Sequence, residues 1–321
     1  MRIKFTTGFL AILLFLFNGC KKTDFPPADV KTFTKINNYN VLIVPDLSNR
    51  IDPAVHPKPV HDTILIDQIA DSIGSLLNVN NRQMNQLDVY KFDFINKGIL
   101  NNGAANPENM EINFNIFENK LRDASEFKRN GLHHAVSRFK TETAKVYQYS
   151  FQHPAGSDVW SYFNETINGS LIHEPEKIDK KGKIITDNKN VVVLFTDGYI
   201  ESVNNGPGYI FDQQSVEKIR KDFLSSKSDD LERFIGSKPE YSIKKTTNNL
   251  KDINILILEM VDRSLDKNGA ATIQPTDFEI MKVVWTKWLK DSGASKVEIY
   301  PAFSKKTDAY NALKKFMTEI K

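Results

Sequence analysis

The sequence has a single cysteine, Cys20, among its 321 residues. One cysteine cannot form a disulfide within the chain, which excludes the disulfide frameworks of small secreted domains. The sequence also lacks a phosphate-binding loop, the glycine pattern of a dinucleotide-binding turn and the Gly-x-Ser-x-Gly pattern of a serine hydrolase. The sequence therefore gives no support for a nucleotide-dependent enzyme or a serine hydrolase of these types. Nothing in it indicates an organic cofactor.

The chain also lacks a strong excess of charge. It has 43 lysines and arginines against 40 aspartates and glutamates, for a formal charge of +3. Arg2 and Lys4 contribute two of these positive charges, so residues 20–321 carry only +1. A near balance argues against electrostatic binding to nucleic acid or to an anionic surface. The length suffices for one large core, or at most two domains.

The first residues have the composition of an export signal. An apolar run at 9–17 follows the basic start, and it is too short to cross a bilayer comfortably as a helix. Asn18, Gly19 and Cys20 come directly after it, and the segment resembles a bacterial lipobox, although Phe17 and Asn18 stand where smaller or aliphatic residues are more usual. The resemblance implies a signal peptide at 1–19 and a lipid such as palmitate on Cys20. An ordinary secretion signal and an uncleaved anchor are the alternatives.

Residues 20–38 are predicted to be the lipidated cysteine and a flexible tether, because two prolines and many charges leave little periodic apolar content. The tether would hold the remaining domain, 39–321, at a membrane of the bacterial cell envelope. Which membrane and which face receive the lipid are left open.

The domain reads as an α/β protein. Short apolar runs, three of them rich in Val, Ile and Leu without alternation, predict strands buried on both faces at 39–44, 87–94, 190–196, 253–260 and 296–301. Helical spacing of apolar residues predicts helices between and after them at 61–77, 131–149, 160–168, 276–290 and 307–320. This alternation predicts a doubly wound, mostly parallel sheet with helices on both faces. Two stretches fit this alternation of strands and helices less well. The first is 96–115, with a candidate strand at 110–117. The second is 206–251, which is predicted to be part helix and part loop.

Acidic residues follow two of the predicted strands. Asp46 and Ser48 come just after the first strand, and Asp197-Gly198 follows the strand at 190–196. Open α/β sheets bind ligands beyond the carboxyl ends of their strands. If these two strands are neighbours, the side chains form a small oxygen-lined pocket of the kind that hard divalent cations prefer.

This pairing resembles the metal-ion-dependent adhesion site of von Willebrand factor type A domains, and the resemblance covers roughly residues 38–321. Asp46 and Ser48 match the beginning of the family's Asp-x-Ser-x-Ser motif, and Thr196-Asp197-Gly198 matches its later aspartate motif. Ser157, in Gly156-Ser157-Asp158, stands for the threonine of the family's intermediate loop. The resemblance implies Mg²⁺ or Mn²⁺ at Asp46, Ser48, Ser157 and Asp197, with Asp197 acting through water or a hydrogen bond. It also implies a protein partner in the cell envelope that supplies a carboxylate to the ion.

Arg50 departs from the motif, because it stands where the second serine is expected. A guanidinium cannot ligate a cation and would repel one nearby. Arg50 therefore turns away, or the site binds metal weakly, or the site has become anion-recognising or structural. Asn49, Asp158, Thr196 and Gly198 are the other residues expected beside the site.

Other interpretations stay open at this point. Asp46 and Ser48 could cap a helix or tighten a turn, and Asp197-Gly198 could be a turn pair. The binding module is the first functional hypothesis; a structural or assembly lipoprotein with a degenerate site is the second. A metal-assisted hydrolase using His56 or His61 is the third, although we expect these histidines to serve loop and helix-start roles. We expect His133 and His134 to be at the surface or partly buried, and Trp285 and Trp288 to lie in the core or an interface.

Overall fold

The Val- and Ile-rich runs lie side by side in one sheet of the computed structural model, which describes residues 34–83, 86–96, 98–174, 176–178, 184–201 and 208–320. All of these belong to one compact unit, residues 33–321. The predicted signal peptide, Cys20 and tether residues 20–33 lie outside the described residues. No helix within the described ranges combines the length and apolar character needed to cross a membrane.

The sheet has seven strands within the described residues: β1 (Thr34–Pro45), β2 (Val89–Phe92), β3 (Glu111–Asn113), β4 (Glu176–Ile178), β5 (Ile184–Phe195), β6 (Ile253–Met260) and β7 (Lys296–Pro301). Their order is β3-β2-β1-β5-β6-β7, with β4 paired to β5 off this path. β2, β1, β5, β6 and β7 run parallel, whereas β3 is antiparallel to β2 and β4 is antiparallel to β5. The predicted mostly parallel α/β sheet is confirmed.

Helices cover both faces of this sheet. They are α1 (Asp62–Asp71), α2 (Ile73–Leu76), α3 (Gly98–Asn101), α4 (Leu121–Glu126), α5 (Leu132–Gln152), α6 (Val159–Asn164), α7 (Gln213–Ser226), α8 (Leu231–Gly236), α9 (Asp277–Asp291) and α10 (Asp308–Glu319). The apolar sides of α1, α5 and α10 share one core, and those of α6, α7, α8 and α9 share the other. The arrangement is therefore three-layered.

Alternate residues of the central strands enter the two cores. In β1, Val41 and Ile43 pack into the core with α1, while Leu42 and Val44 pack into the core with α9. A strand covered on both faces needs apolar side chains at every position. This is why the central strands appear in the sequence as continuous apolar runs, without alternation of apolar and polar residues.

The strand order reverses between β1 and β5. From β1 the chain goes through α1 to β2 on one side, and through α5 and α6 it returns to β5 on the other side. Such a reversal leaves a crevice at the carboxyl ends of the two strands, and doubly wound sheets bind their ligands there. Asp46 directly follows β1, and Asp197 follows β5 after Thr196.

Several boundaries differ from prediction. β1 begins at Thr34, so residues 34–38, assigned to the tether, belong to a strand that pairs with residues 184–188 of an equally extended β5. The helix predicted at 61–77 is divided at Ser72 into α1 and α2. The helix predicted at 160–168 ends at Asn164, and a short 3-10 helix (Thr166–Ser170) follows.

The two poorly fitting stretches contain short elements. The candidate strand at 110–117 is reduced to β3, and α3 and a 3-10 helix (Pro107–Met110) precede it within 96–115. The described residues of 206–251 form α7, α8 and connecting loops, as predicted. His133 and His134 are exposed and Trp285 and Trp288 are buried in the core, as expected.

Candidate binding site at the carboxyl edge of the sheet

Asp46 and Asp197 lie at the same edge of the sheet. Pro45 pairs with Phe195 across β1 and β5, and the Asp46 N–H donates to the Phe195 carbonyl at 2.8 Å. Both carboxylates are therefore at the carboxyl ends of adjacent parallel strands, as the sequence predicted. Both are buried, with 2% of Asp46 and 7% of Asp197 exposed.

A cavity of about 590 Å³ opens above this pair. It contains all four predicted site residues, which come from three separate segments of the chain. The lining consists of Asp46, Ser48, Asn49, His56, Pro154, Ala155, Gly156, Ser157, Asp158, Asp197, Tyr199, Glu201 and Arg263. Arg50, Thr196 and Gly198 are not among these lining residues.

Hydrogen bonds fix the Asp46 carboxylate. Its Oδ1 accepts from the Ser48 N–H at 3.1 Å, and its Oδ2 accepts from the Thr196 hydroxyl at 3.0 Å. The Thr196 hydroxyl in turn accepts from the Gly198 N–H at 3.3 Å. Thr196 therefore orients Asp46, and its own hydroxyl faces the protein interior.

The Asp197 carboxylate is held by a backbone amide and an arginine. Its Oδ1 accepts from the Tyr199 N–H at 3.1 Å, and its Oδ2 lies 3.4 Å from Nη2 of Arg263. The Arg263 guanidinium stacks on the Tyr199 ring, 3.9 Å from its centroid. Burial and the charge of Asp46 raise the pKa of Asp197, and Arg50, the Tyr199 amide and Arg263 oppose this rise.

Arg50 points into the protein beneath the cavity. It is 1% exposed, and both of its Nη atoms donate to Asp62 Oδ2, at 2.7 and 2.8 Å. Its Nε lies 3.9 Å from Asp46 Oδ2 and has no hydrogen-bond partner among the described residues. The guanidinium thus lies between Asp62 and Asp46: it is directed away from the cavity, but its charge stays beside the Asp46 carboxylate.

Asp62 anchors this buried group of charges from α1. Besides Arg50, it accepts from Lys58 at 2.8 Å and from the Tyr147 hydroxyl at 3.3 Å. Burial acts to raise the pKa of Asp62, but Arg50 and Lys58 outweigh it and lower the pKa to about 2. Asp62 is therefore ionised at neutral pH, and its carboxylate holds the Arg50 guanidinium in place.

The remaining predicted residues have mixed roles. Ser48 precedes a short 3-10 helix (Asn49–Ile51) without capping it through its side chain, and both Ser48 and Ser157 are half-buried in the cavity wall. Asp158 caps α6 by accepting from the Ser161 N–H at 2.9 Å. His61 is the N-cap of α1, the helix-start role expected of it, which leaves His56 as the histidine in the cavity lining.

Gly198 is required by the backbone of this turn. Its φ of +91° is a conformation that L side chains rarely adopt, and an added Cβ would lie 2.7 Å from Met281 Sδ. The Gly198 carbonyl accepts from the Trp285 indole at 2.9 Å. This hydrogen bond thus holds the turn that contains Asp197 against α9.

Sequence reasoning missed Arg263, Tyr199 and Glu201, although each follows a strand end near the crevice. Arg263 comes just after β6, the neighbour of β5, so the rule that located Asp197 could have located it as well. Asp93 after β2 and Glu259 near the end of β6 are two further buried acids at this edge. Neither lines the cavity; Asp93 accepts from the Tyr162 hydroxyl at 2.9 Å.

Comparison with known proteins adds no identification, since no family model matches the sequence and no curated protein matches it significantly. The functional argument therefore rests on the residues and geometry of this cavity.

Proposed function

We propose that this protein is a lipid-anchored component of the bacterial cell envelope that binds a protein partner at the carboxyl edge of its sheet. One observation carries the proposal: Asp46, Ser48, Ser157 and Asp197 come together on one cavity at the point where the strand order reverses. Concave, polar sites at such points are where α/β proteins bind ligands. The resemblance to von Willebrand factor type A domains, which suggested these four residues, supports a protein as the ligand.

The chemistry of the lining suits a polar partner. Asp46, Asp197 and Glu201 supply carboxylates, Ser48 and Ser157 supply hydroxyls, and Arg263 supplies a positive charge. Charged groups across an interface fix orientation and select partners. A partner that presents a charged side chain to this cavity fits the lining better than an apolar ligand.

A divalent cation fits this donor set poorly. Mg²⁺ or Mn²⁺ would be held by Asp46, Ser48, Ser157 and Asp197, the residues that the resemblance implies. However, each oxygen of the two carboxylates already faces a donor, and Arg50 and Arg263 place positive charge beside the pair. The proposed binding therefore does not depend on a metal.

Site-specific crosslinking in the envelope tests the proposal. A photo-reactive amino acid is placed at Asn49 or Ser157 in the full-length, lipidated protein, and at Asn78 as an exposed control outside the cavity. We expect a discrete crosslinked protein from both cavity positions and none from Asn78. The proposal is contradicted if one of the two cavity positions gives no crosslink, or if Asn78 gives an equal crosslink.

A further inference from the structure

We infer that a second cavity, between the end of α1 and the first turns of α5, binds the phosphate group of a ligand. This cavity has a volume of about 480 Å³ and shares no lining residue with the cavity at the carboxyl edge. Its titratable lining residues are Asp71, Lys128, Arg129, His133 and Lys140. The inference is independent of the proposed function, since neither the lipid anchor nor the protein partner enters it.

A π-helical turn, Phe127–Gly131, carries two of these cations. It joins α4 to α5, and such wider turns within helices occur frequently at functional sites. The Phe127 ring packs against the buried Phe114 ring, with 5.3 Å between the centroids, and this contact anchors the turn to the core. An added Cβ at Gly131 would lie 2.5 Å from the Phe127 ring, so the packing of this ring requires a glycine beside it. The turn therefore holds the backbone of both cations in place at the cavity.

Lys128, the first of these cations, is half-buried without an ion pair to any described residue. Its Nζ donates to the Gln86 side chain at 3.4 Å. Burial lowers the pKa of Lys128, Asp88 raises it, and Arg82 lowers it further. Both oxygens of Asp88 already accept from Arg82, at 2.6 and 2.8 Å. An anion beside Lys128 would compensate for the burial of its charge.

Arg129 and His133 supply further donors at the same cavity. Both are exposed, and Arg129 has no ion pair or hydrogen bond within the part of the chain that the structure describes. Glu126, on the preceding helical turn, accepts from Asn130 instead. His133 adds an imidazole N–H. The charge of Arg129 is therefore available to a ligand.

The acid in this lining is already paired. Asp71 accepts from Lys140 Nζ at 2.9 and 3.0 Å, and Asp67, which does not line the cavity, lies 3.8 Å from the same atom. These three groups are therefore engaged with one another, and Lys140 is not counted as a ligand-binding cation. The charge that remains at the lining is positive and comes from Lys128 and Arg129.

The donors fit a phosphate better than a carboxylate. Arg129 presents a planar fork of N–H groups, and Lys128 presents a compact point charge. A phosphate monoester has three strong acceptor oxygens, which can meet Lys128, Arg129 and His133 together. A carboxylate has only two oxygens for the same donors. Charge-assisted hydrogen bonds of this kind are the strong ones.

Titration with inorganic phosphate at constant pH tests the site. NMR of the His133 ring follows the full-length protein in an uncharged detergent, beside Lys128→Gln and Arg129→Gln. Arg138→Gln is the matched control, because Arg138 is exposed on α5 outside the cavity. We expect a saturable shift in the wild type and the control. The affinity should fall about tenfold or more in Lys128→Gln and Arg129→Gln, because each loses a hydrogen bond to a charged group.

A second variant keeps the test independent of the folding of Lys128→Gln. Ser137→Glu adds a negative charge at an exposed lining position and should abolish the phosphate-dependent shift, whereas the uncharged Ser137→Gln should weaken it less. The inference is overturned if the wild type shows no saturable shift, or if chloride at the same ionic strength reproduces it. It is also overturned if Lys128→Gln or Ser137→Glu keeps the wild-type affinity.

Three further probes identify the ligand class. Glycerol phosphate is a soluble phosphate ester, and phosphatidylglycerol added to the detergent micelles presents the same group as a lipid headgroup. The tighter of the two, with binding weakened in Lys128→Gln, identifies the source of the phosphate. Acetate that binds as tightly as inorganic phosphate would show a carboxylate site and overturn the phosphate assignment.

Discussion

Asp197 and Asp46 end neighbouring strands of the sheet, and burial together with the charge of Asp46 raises the pKa of Asp197. A neighbouring negative charge favours the protonated form of a carboxyl group. Arg50 and Arg263 oppose that effect by attracting the ionised form of Asp197. The pKa of Asp197 is therefore a sensitive measure of the charges around the cavity.

Asp46→Asn should lower the pKa of Asp197, because the exchange removes the neighbouring negative charge while keeping the shape of the side chain. The measurement is an NMR titration of the Asp197 carboxyl carbon. Asp93→Asn, at another buried acid of the same edge, is the matched control and should leave the titration where it is. A pKa of Asp197 that is unchanged by Asp46→Asn would show that the two carboxylates do not interact.

Glu259 makes stability depend on pH. Burial and the charge of Asp62 raise its pKa to about 7. A carboxyl with a raised folded-state pKa contributes stability below its ordinary pKa, and this contribution is lost as the pH rises to about 7. The unfolding free energy of the wild type should therefore fall between about pH 4.5 and pH 7, by at most about 3 kcal/mol more than that of Glu259→Gln.

Urea unfolding across this pH range measures the difference. Glu232→Gln, at an exposed position of α8, serves as the control and should keep the wild-type slope. A Glu259→Gln variant with the same pH dependence as the wild type would be inconsistent with a protonated Glu259 in the folded protein.

Gly198→Ala should destabilise the protein by about 1–3 kcal/mol, since it combines an unfavourable backbone conformation with crowding in a packed core. The new Cβ would meet Met281 and Met260 at a φ of +91°. Gly156→Ala is the control in the same cavity, because no atom lies within 4 Å of its added Cβ. Thermal or urea unfolding that ranks the two variants equally would contradict the role assigned to Gly198.

Cys20→Ser should release the protein from the membrane fraction and abolish incorporation of labelled palmitate, because the proposed function makes this thiol the site of lipid attachment. Fractionation and labelling of the full-length protein measure both effects. Lys21→Ser serves as the control and should remain membrane-bound. A Cys20→Ser protein that stays in the membrane fraction would favour an uncleaved anchor over a lipid.

The sequence was sufficient for features that depend on local pattern. Uninterrupted Val and Ile in β1 and β5 predicted strands covered on both faces, and the structure buries them in two cores. The apolar spacing at 276–290 predicted a helix, and α9 spans Asp277–Asp291. Asp46 and Asp197 could be placed at one edge because parallel strands direct their carboxyl ends the same way.

Features that depend on distant residues could not be predicted. β1 extends back to Thr34 because its polar first residues pair with residues 184–188, far away in the chain. Arg263 could have been placed at this edge of the sheet from its position just after β6, but its contacts with Tyr199 and Asp197 depend on the conformation of its loop. Neither contact leaves a periodic pattern in the sequence.

The sequence by itself determined the α/β class, the central strands and the two aspartates at their ends, since apolar periodicity and strand direction are local properties. Only the tertiary structure decided what surrounds those aspartates. Arg50 was read as a departure from a motif, and whether it turned away depended on Asp62 and Tyr147, which α1 and α5 bring beneath it. A buried charge takes its orientation from the partners that the fold supplies, and those partners are set by packing and not by the neighbouring sequence.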